Sequence, residues 1–307
     1  MRYQLLFLFL FSCSDYKLES LKENDLPGSD LPSLIDTSVV AIDTGDENNL
    51  TDTAIEDPPE VEPSNPVAIC TVSPNPISPP FESSSWIGSD SYDPDGLEII
   101  NYDWQLISSP PGSLTSMPPG GAVRGPFTPE LAGNYIARLV VTNEEGKTSD
   151  PCEANLEATP VESLWVEMFW EYPQDDMDLH LIANGGSLES REDCYYSNCT
   201  PSAQIFFPMD WGVLGYSGDN PTLDLDDIPG TGPENINIDT PQPGAIYTVV
   251  VHDYTGSTAD VYGDNEVTIN IYLDGSLSWT DTRVISGDGS YTYYARIDWN
   301  TSTIMSL

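Results

Sequence analysis

Two acidic clusters in the C-terminal half carry most of the chemistry this sequence offers. The first is Asp175-Asp-Met-Asp-Leu-His180, where a period of two puts Asp176, Asp178 and His180 on one face and Met177, Leu179 and Leu181 on the other. The second is Asp219-Asn-Pro-Thr-Leu-Asp-Leu-Asp-Asp227, followed by Gly230-Thr-Gly-Pro-Glu-Asn235. There Asp224 and Asp226 share a face, Asp227 turns into the loop, and Glu234 and Asn235 arrive after a Gly-Pro turn. Carboxylates this dense raise one another's pKa or hold a cation between them. Calcium suits the donors, since it takes about six to eight oxygens from Asp, Glu, Asn and carbonyls in a flexible shell, while magnesium keeps more of its water. The expected ligands are Asp176, Asp178, Asp224, Asp226, Asp227, Glu234 and Asn235. The plainer alternative is a solvated acidic surface.

The two histidines, His180 and His252, each fall on an expected strand. Packing beside a sheet with a local hydrogen bond is the ordinary use of such a residue; as neighbours they could share a zinc or catalytic site. The chain has neither a His-Glu-x-x-His helix nor a Gly-x-Ser-x-Gly elbow. Paired carboxylates could serve a hydrolase. With 50 acidic residues, however, such pairs arise from composition alone. The expectation is a non-enzymatic chain, with a metal-assisted secreted hydrolase, or an accessory domain of one, as the alternative. Trp211, Tyr216, Tyr195 and Tyr196 near the acidic loops would suit a glycan platform, although core packing is the commoner use of aromatics.

Five cysteines divide by position. The chain opens on Met-Arg-Tyr-Gln and an apolar run, Leu5 to Phe11, too short for a bilayer span of about 20 residues. Leu10-Phe11-Ser12-Cys13 resembles the lipobox of bacterial lipoproteins, which implies a signal peptide over residues 1–12 and a lipid on Cys13. Anchoring by several acyl chains is worth about 0.8 kcal/mol per buried methylene. Removing Cys13 leaves Cys70, Cys152, Cys194 and Cys199, an even set that suits disulfides in an oxidising compartment. Cys70 and Cys152 lie near the two ends of one expected domain, and Cys194 and Cys199 close a small loop most simply by pairing. A zinc pair would need further thiols or imidazoles.

These residues sit in a chain of 307 with 9 basic residues and a formal charge of -41, which repels DNA, RNA and anionic headgroups and excludes nucleic acid as a partner. Residues 14–65 hold 14 acidic residues and two lysines with no apolar period, so residues 13–65 read as a disordered, self-repelling tether behind the lipid. From Pro66 the texture changes to short runs of period two broken by Pro and Gly. Val67–Val72, Ile99–Ile107 and Tyr135–Asn143 are expected strands of a domain over 66–160, the last apolar on both faces. Leu164–Tyr172, Met177–Ile182, Ile246–Tyr254, Glu266–Leu273 and Tyr291–Trp299 are expected strands of a second domain over 161–307, with 24 acidic residues, three arginines and no lysine. The fold class is all-β: two sandwiches, the second of jelly-roll type.

Ser91-Tyr-Asp-Pro-Asp-Gly96, Ile100-Asn-Tyr-Asp-Trp-Gln105, Gly133-Asn-Tyr135 and Leu139-Val-Val-Thr-Asn-Glu-Glu-Gly146 follow one another as in the polycystic-kidney-disease (PKD) domain, which this segment resembles. That resemblance implies an immunoglobulin-like spacer or binding module. Asp93-Pro-Asp-Gly96 reads as turn chemistry first, with a cation on Asp90, Asp93 and Asp95 as the sharper alternative. Asp176-Met-Asp-Leu-His-Leu181, Asp193-Cys-Tyr-Tyr-Ser-Asn198, Asp210-Trp-Gly212, Leu223-Asp-Leu-Asp-Asp227 and Gly232-Pro-Glu-Asn235 are similar to an uncharacterised domain of bacterial surface lipoproteins. That resemblance implies an extracellular β-sandwich with calcium ligands and no established activity. A weaker similarity is to the β-sandwiches that accompany secreted peptidases. Together these features imply a protein of the outer membrane or cell surface that binds an unnamed protein or glycan.

Overall fold

The computed structural model describes residues 63–173, 175–206, 208–227, 230–254, 264–287 and 289–307; the expected signal peptide, Cys13 and the expected tether as far as residue 62 lie outside the described residues. Strands β1 (Thr71–Ser73), β2 (Ser84–Ile87) and β4 (Val123–Phe127) form one three-stranded sheet, and β3 (Ile99–Ser108), β5 (Gly133–Asn143) and β6 (Cys152–Ala158) form another. Period two decides which side chains go inside. In β5, Tyr135, Ala137, Leu139 and Val141 are fully buried, while Ile136, Val140 and Thr142 on the other face are half-covered. Trp86 meets Phe127 edge-on at 5.3 Å, and Phe127 meets Tyr135 edge-on at 5.4 Å, a geometry that aromatic quadrupoles favour. Cys70 and Cys152 form a disulfide across a sequence separation of 82. Closing so long a loop stabilises the fold by about 2–4 kcal/mol, chiefly by restricting the unfolded chain.

Asp93-Pro-Asp-Gly96 is a turn. Asp93 Oδ1 accepts from the Asp95 amide at 2.8 Å, Oδ2 accepts from Asn143 Nδ2 at 2.8 Å, and Gly96 takes φ 81°. Both oxygens of this buried carboxylate are thereby used inside the fold, and the Asn143 amide is the first cause of its lowered pKa.

The second sandwich is larger. One five-stranded antiparallel sheet runs β10 (Pro221–Leu225), β11 (Glu234–Ile238), β7 (Leu164–Trp170), β13 (Asn265–Leu273), β14 (Ser276–Ile285). The other runs β16 (Thr303–Ser306), β15 (Tyr291–Asp298), β12 (Ile246–Asp253), β8 (Met177–Ala183), β9 (Asp193–Cys194). Leu164, Val166 and Met168 from one sheet and Met177, Leu179 and Leu181 from the other share a dry core with Val249, Val251, Ile269 and Ile271. The all-β reading, sandwich after sandwich, therefore stands. Between β8 and β10 the chain makes a long excursion through β9 and two one-turn helices, α1 (Tyr196–Cys199) and α2 (Pro201–Gln204), stapled by the Cys194–Cys199 disulfide.

Residues 60–307 form one compact unit. Ala132 of the first sandwich packs on Trp165 and Tyr272 of the second. Beneath it, Glu167 is 1% exposed; its Oε2 accepts from the Ala132 amide at 2.9 Å and its Oε1 from Asn270 Nδ2 at 3.1 Å. Burial pushes this carboxyl up to about 7.

Candidate metal centre

Every residue of β8 is buried, including Asp178 and His180 on the face that alternation turns away from the core. The cover comes from residues far away in sequence. Antiparallel pairing sets Asp178 opposite His252 on β12, with Oδ2 and Nδ1 3.3 Å apart. His252 stacks on Tyr291 at 4.1 Å, and His180 stacks on Tyr195 at 5.0 Å. His180 Nδ1 lies 2.8 Å from Asp193 Oδ2, and its Nε2 has no hydrogen-bond partner among the described residues.

The edge of β8 explains where Glu234 goes. Strand β9 has two residues and pairs with β8 only at Leu181 and Ile182, so the Leu179 amide faces an open edge. Glu234 shares its face of β11 with the core residues Ile236 and Ile238, and its Oε2 accepts from that amide at 2.7 Å. A carboxylate from one sheet thus fills a gap in the other. This brings Asp178, Asp226 and Glu234 together, with one ligand oxygen from each lying within 4.8 Å of the others.

The cluster is short of donors. Asp176 Oδ1, Asp178 Oδ2 and Glu234 Oε1 are buried without a hydrogen bond, and these three residues are at most 8% exposed. Two ionised carboxylates so placed repel by about 3–4 kcal/mol at an effective dielectric constant near 20. Asp178 is pushed up to about 8, by burial first and then by the charges of Asp176 and Asp226. Asp176 is pushed up to about 6 by burial and by Asp226, Asp175 and Asp227. Glu234 is driven well above the carboxylate range by burial and then by Asp178. A cation among these oxygens would remove the repulsion, and hard oxygen donors are what calcium takes.

The seven residues expected as ligands are not all in one place. Asp178, Asp226 and Glu234 converge, with Asp176 close enough for its charge to act on Asp178 and Glu234. Asp227 clamps its own loop, Oδ2 accepting from the Gly232 amide at 2.9 Å, while its charge bears on Asp176. Asp224 and Asn235 lie elsewhere. A bulge sets Leu223 opposite Ile236 and Leu225 opposite Asn235, so Asp224 is the extra residue and simple alternation fails there. Its carboxylate accepts from the Asn235 and Asn237 amides, on the face of β11 opposite Glu234. Tyr195, His252 and Tyr291, which seal the cluster's flank, lie outside the seven; the sequence offers Tyr195 only for a glycan platform and His252 as a neighbour of His180, and the two imidazole centroids lie 6.0 Å apart.

No family model matches the chain, and no curated protein matches it. Among solved structures, one described as the structural basis for the promiscuous specificity of the carbohydrate-binding modules from the beta-sandwich super family is similar to it. The match is 11% identical, covers 76% of this chain and 84% of that one, and has a TM-score of 0.26. At that identity and score the likeness assigns neither a ligand nor a site to this chain.

Proposed function

We propose that this chain is an exported, non-enzymatic binding protein: a lipid on Cys13, an acidic tether to residue 65, a PKD-like spacer over 66–160, and a calcium-stabilised sandwich that engages a protein or glycan at the cell surface. The observation that carries the calcium assignment is the convergence of Asp178, Asp226 and Glu234 within 4.8 Å, with buried oxygens of Asp178 and Glu234 that make no hydrogen bond. Asp178, Asp226 and Glu234 are the ligands, and Asp176 supplies further negative charge beside them. The ion joins β8 to β11 across the sandwich, so it acts on stability. A ligand that binds only the native state raises its melting temperature. Thermal unfolding of the full chain should therefore shift upward with calcium, and Asp226→Ala, at an exposed position, should remove the shift without unfolding the protein. No calcium-dependent shift in the wild-type chain would overturn the assignment.

One observation favours a second reading, a metal-assisted hydrolase: Asp193 orients His180 and leaves Nε2 without a partner. The imidazole is 1% exposed beneath the stacked Tyr195, which suits packing better than substrate access. Hydrolase activity lost in His180→Ala but kept in Leu214→Ser would reverse the preference.

A further inference from the structure

We propose that the cleft in the excursion between β8 and β10 docks a cationic, apolar-faced polypeptide segment of a partner protein. This rests on the binding-protein reading above and names the class of its partner; it does not depend on calcium. The cleft is about 960 Å³ and is bounded by Glu189, Glu192, Tyr195, Phe206, Asp210 and Leu214.

Its rim is apolar and open. Phe206 is 77% exposed and Leu214 89%, and Ile205 and Val213 beside them are exposed as well. Single exposed apolar residues are normal on a protein surface, but a group of them around one concavity marks an interaction site. Burying these side chains against an apolar partner would recover stabilisation that the free chain forgoes.

The rim is also held in place. Cys194 and Cys199 staple its base, and Trp211 stacks on Tyr247 while its Nε1 donates to the Arg191 carbonyl at 2.9 Å. The Val213 amide donates to Asp219 Oδ2 at 2.7 Å, and the Gly215 amide to Asp210 Oδ1 at 2.9 Å. A surface fixed in this way loses little entropy on binding.

Charge selects the occupant. Glu189, Glu192 and Asp210 line the cleft against the one cation Arg191, and none of the three carboxylates is ion-paired among the described residues. Each has one oxygen committed, to Tyr291 OH, Ser190 Oγ and the Gly215 amide respectively, and another to offer. The chain's own tether, with 14 acidic residues and two lysines, is repelled, and so is a second copy carrying -41. Anionic membranes and nucleic acids are repelled for the same reason. The exposed rim residues Phe206 and Leu214 match Leu, Val or Phe side chains better than sugar hydroxyls, which favours a polypeptide over a neutral glycan.

Fluorescence anisotropy on the full chain tests the proposal, with a labelled amphipathic peptide of Lys, Leu and Phe and a counterpart carrying Glu for Lys as probes. Saturable binding of the Lys peptide alone is expected, weakened by about fivefold or more in Leu214→Ser and in Glu192→Gln, and unchanged in Asp103→Asn on the first sandwich. Neither cleft substitution touches the core, so both variants fold, and hydrogen exchange should show protection confined to residues 189–216. Binding that ignores Leu214→Ser, or that weakens equally in Asp103→Asn, would be bulk attraction and would overturn the proposal. So would the absence of saturable binding, or a neutral oligosaccharide protecting the same segment in place of the peptide. The calcium shift, read on the same samples, separates the outcomes: a shift without peptide binding refutes the docking site alone, and peptide binding without a shift refutes calcium alone.

Discussion

Asp93 and Asp178 are the same side chain in the two sandwiches, and both are buried, yet their surroundings are opposite. Asp93 accepts from the Asp95 amide and from Asn143 Nδ2, and its pKa is lowered, the Asn143 bond acting first. Asp178 lies among other carboxylates and 3.3 Å from His252 Nδ1, has an oxygen without a hydrogen bond, and is pushed up to about 8 by burial and then by Asp176 and Asp226. A buried carboxylate that its own chain satisfies belongs to the scaffold. One that its chain leaves short of donors is waiting for a proton or a cation. The first sandwich is held by a disulfide and edge-on aromatic contacts, whereas the second keeps an electrostatic debt at the junction of β8 and β11.

The largest expected contrast is in covalent closure. Replacing Cys70 and Cys152 with Ser should cost the first sandwich about 2–5 kcal/mol, whether or not calcium is present. Differential scanning calorimetry checks this, and a loss that calcium restores would contradict the division between the sandwiches. Next in size is the calcium term, about 2.7 kcal/mol at a hundredfold excess over Kd. Glu234→Gln and Asp178→Asn keep their shape and remove a carboxyl whose ionisation the fold opposes and the unfolded chain allows. At neutral pH without calcium each should melt above the wild type, and each should lose the calcium response. Asp93→Asn should melt lower in both conditions, since it weakens bonds the fold already uses. Urea titrations with and without chelator separate these signs.

The last contrast belongs to Glu167, at the contact between the sandwiches. Its pKa in the fold, about 7, lies above an unfolded value of roughly 4.3, so the fold favours the protonated carboxyl. That contribution is full below the unfolded value and is lost as pH rises through about 7, with a slope of at most about 1.4 kcal/mol per pH unit. With calcium saturating the second sandwich, the residual fall in melting temperature between pH 5 and about 7 should flatten in Glu167→Gln. An unchanged slope in that variant would assign the fall to other groups.

Much of this was legible in the sequence. The alternation of Tyr135, Ala137, Leu139 and Val141 gave β5, and that of Met177, Leu179 and Leu181 gave the core face of β8. Asp178 and Glu234 were marked by acidic density, by alternation and the Gly-Pro turn, and by the resemblance. What could not be read is non-local. The cover over Asp178 and His180 comes from His252 and Tyr291, set opposite by strand pairing, and the bulge at Asp224 breaks the period that joined it to Asp226. Strands β10 and β11 look like acidic loop until β7 is seen beside them. Glu234 finds its place only because β9 is too short to cover the Leu179 amide.

The Cys70–Cys152 disulfide has a mechanical consequence. The chain enters the first sandwich beside Cys70 and leaves it through β6, which Cys152 begins, so a pull on the chain is carried from one sulfur to the other. Tension bypasses β1 to β5 and reaches the second sandwich without unravelling them. The chain between the sulfurs, a sequence separation of 82 that would pay out about 280 Å if extended, is withheld from the load. While the bond is intact, the first sandwich transmits load through the disulfide, and the second sandwich is the part of the molecule that yields to force.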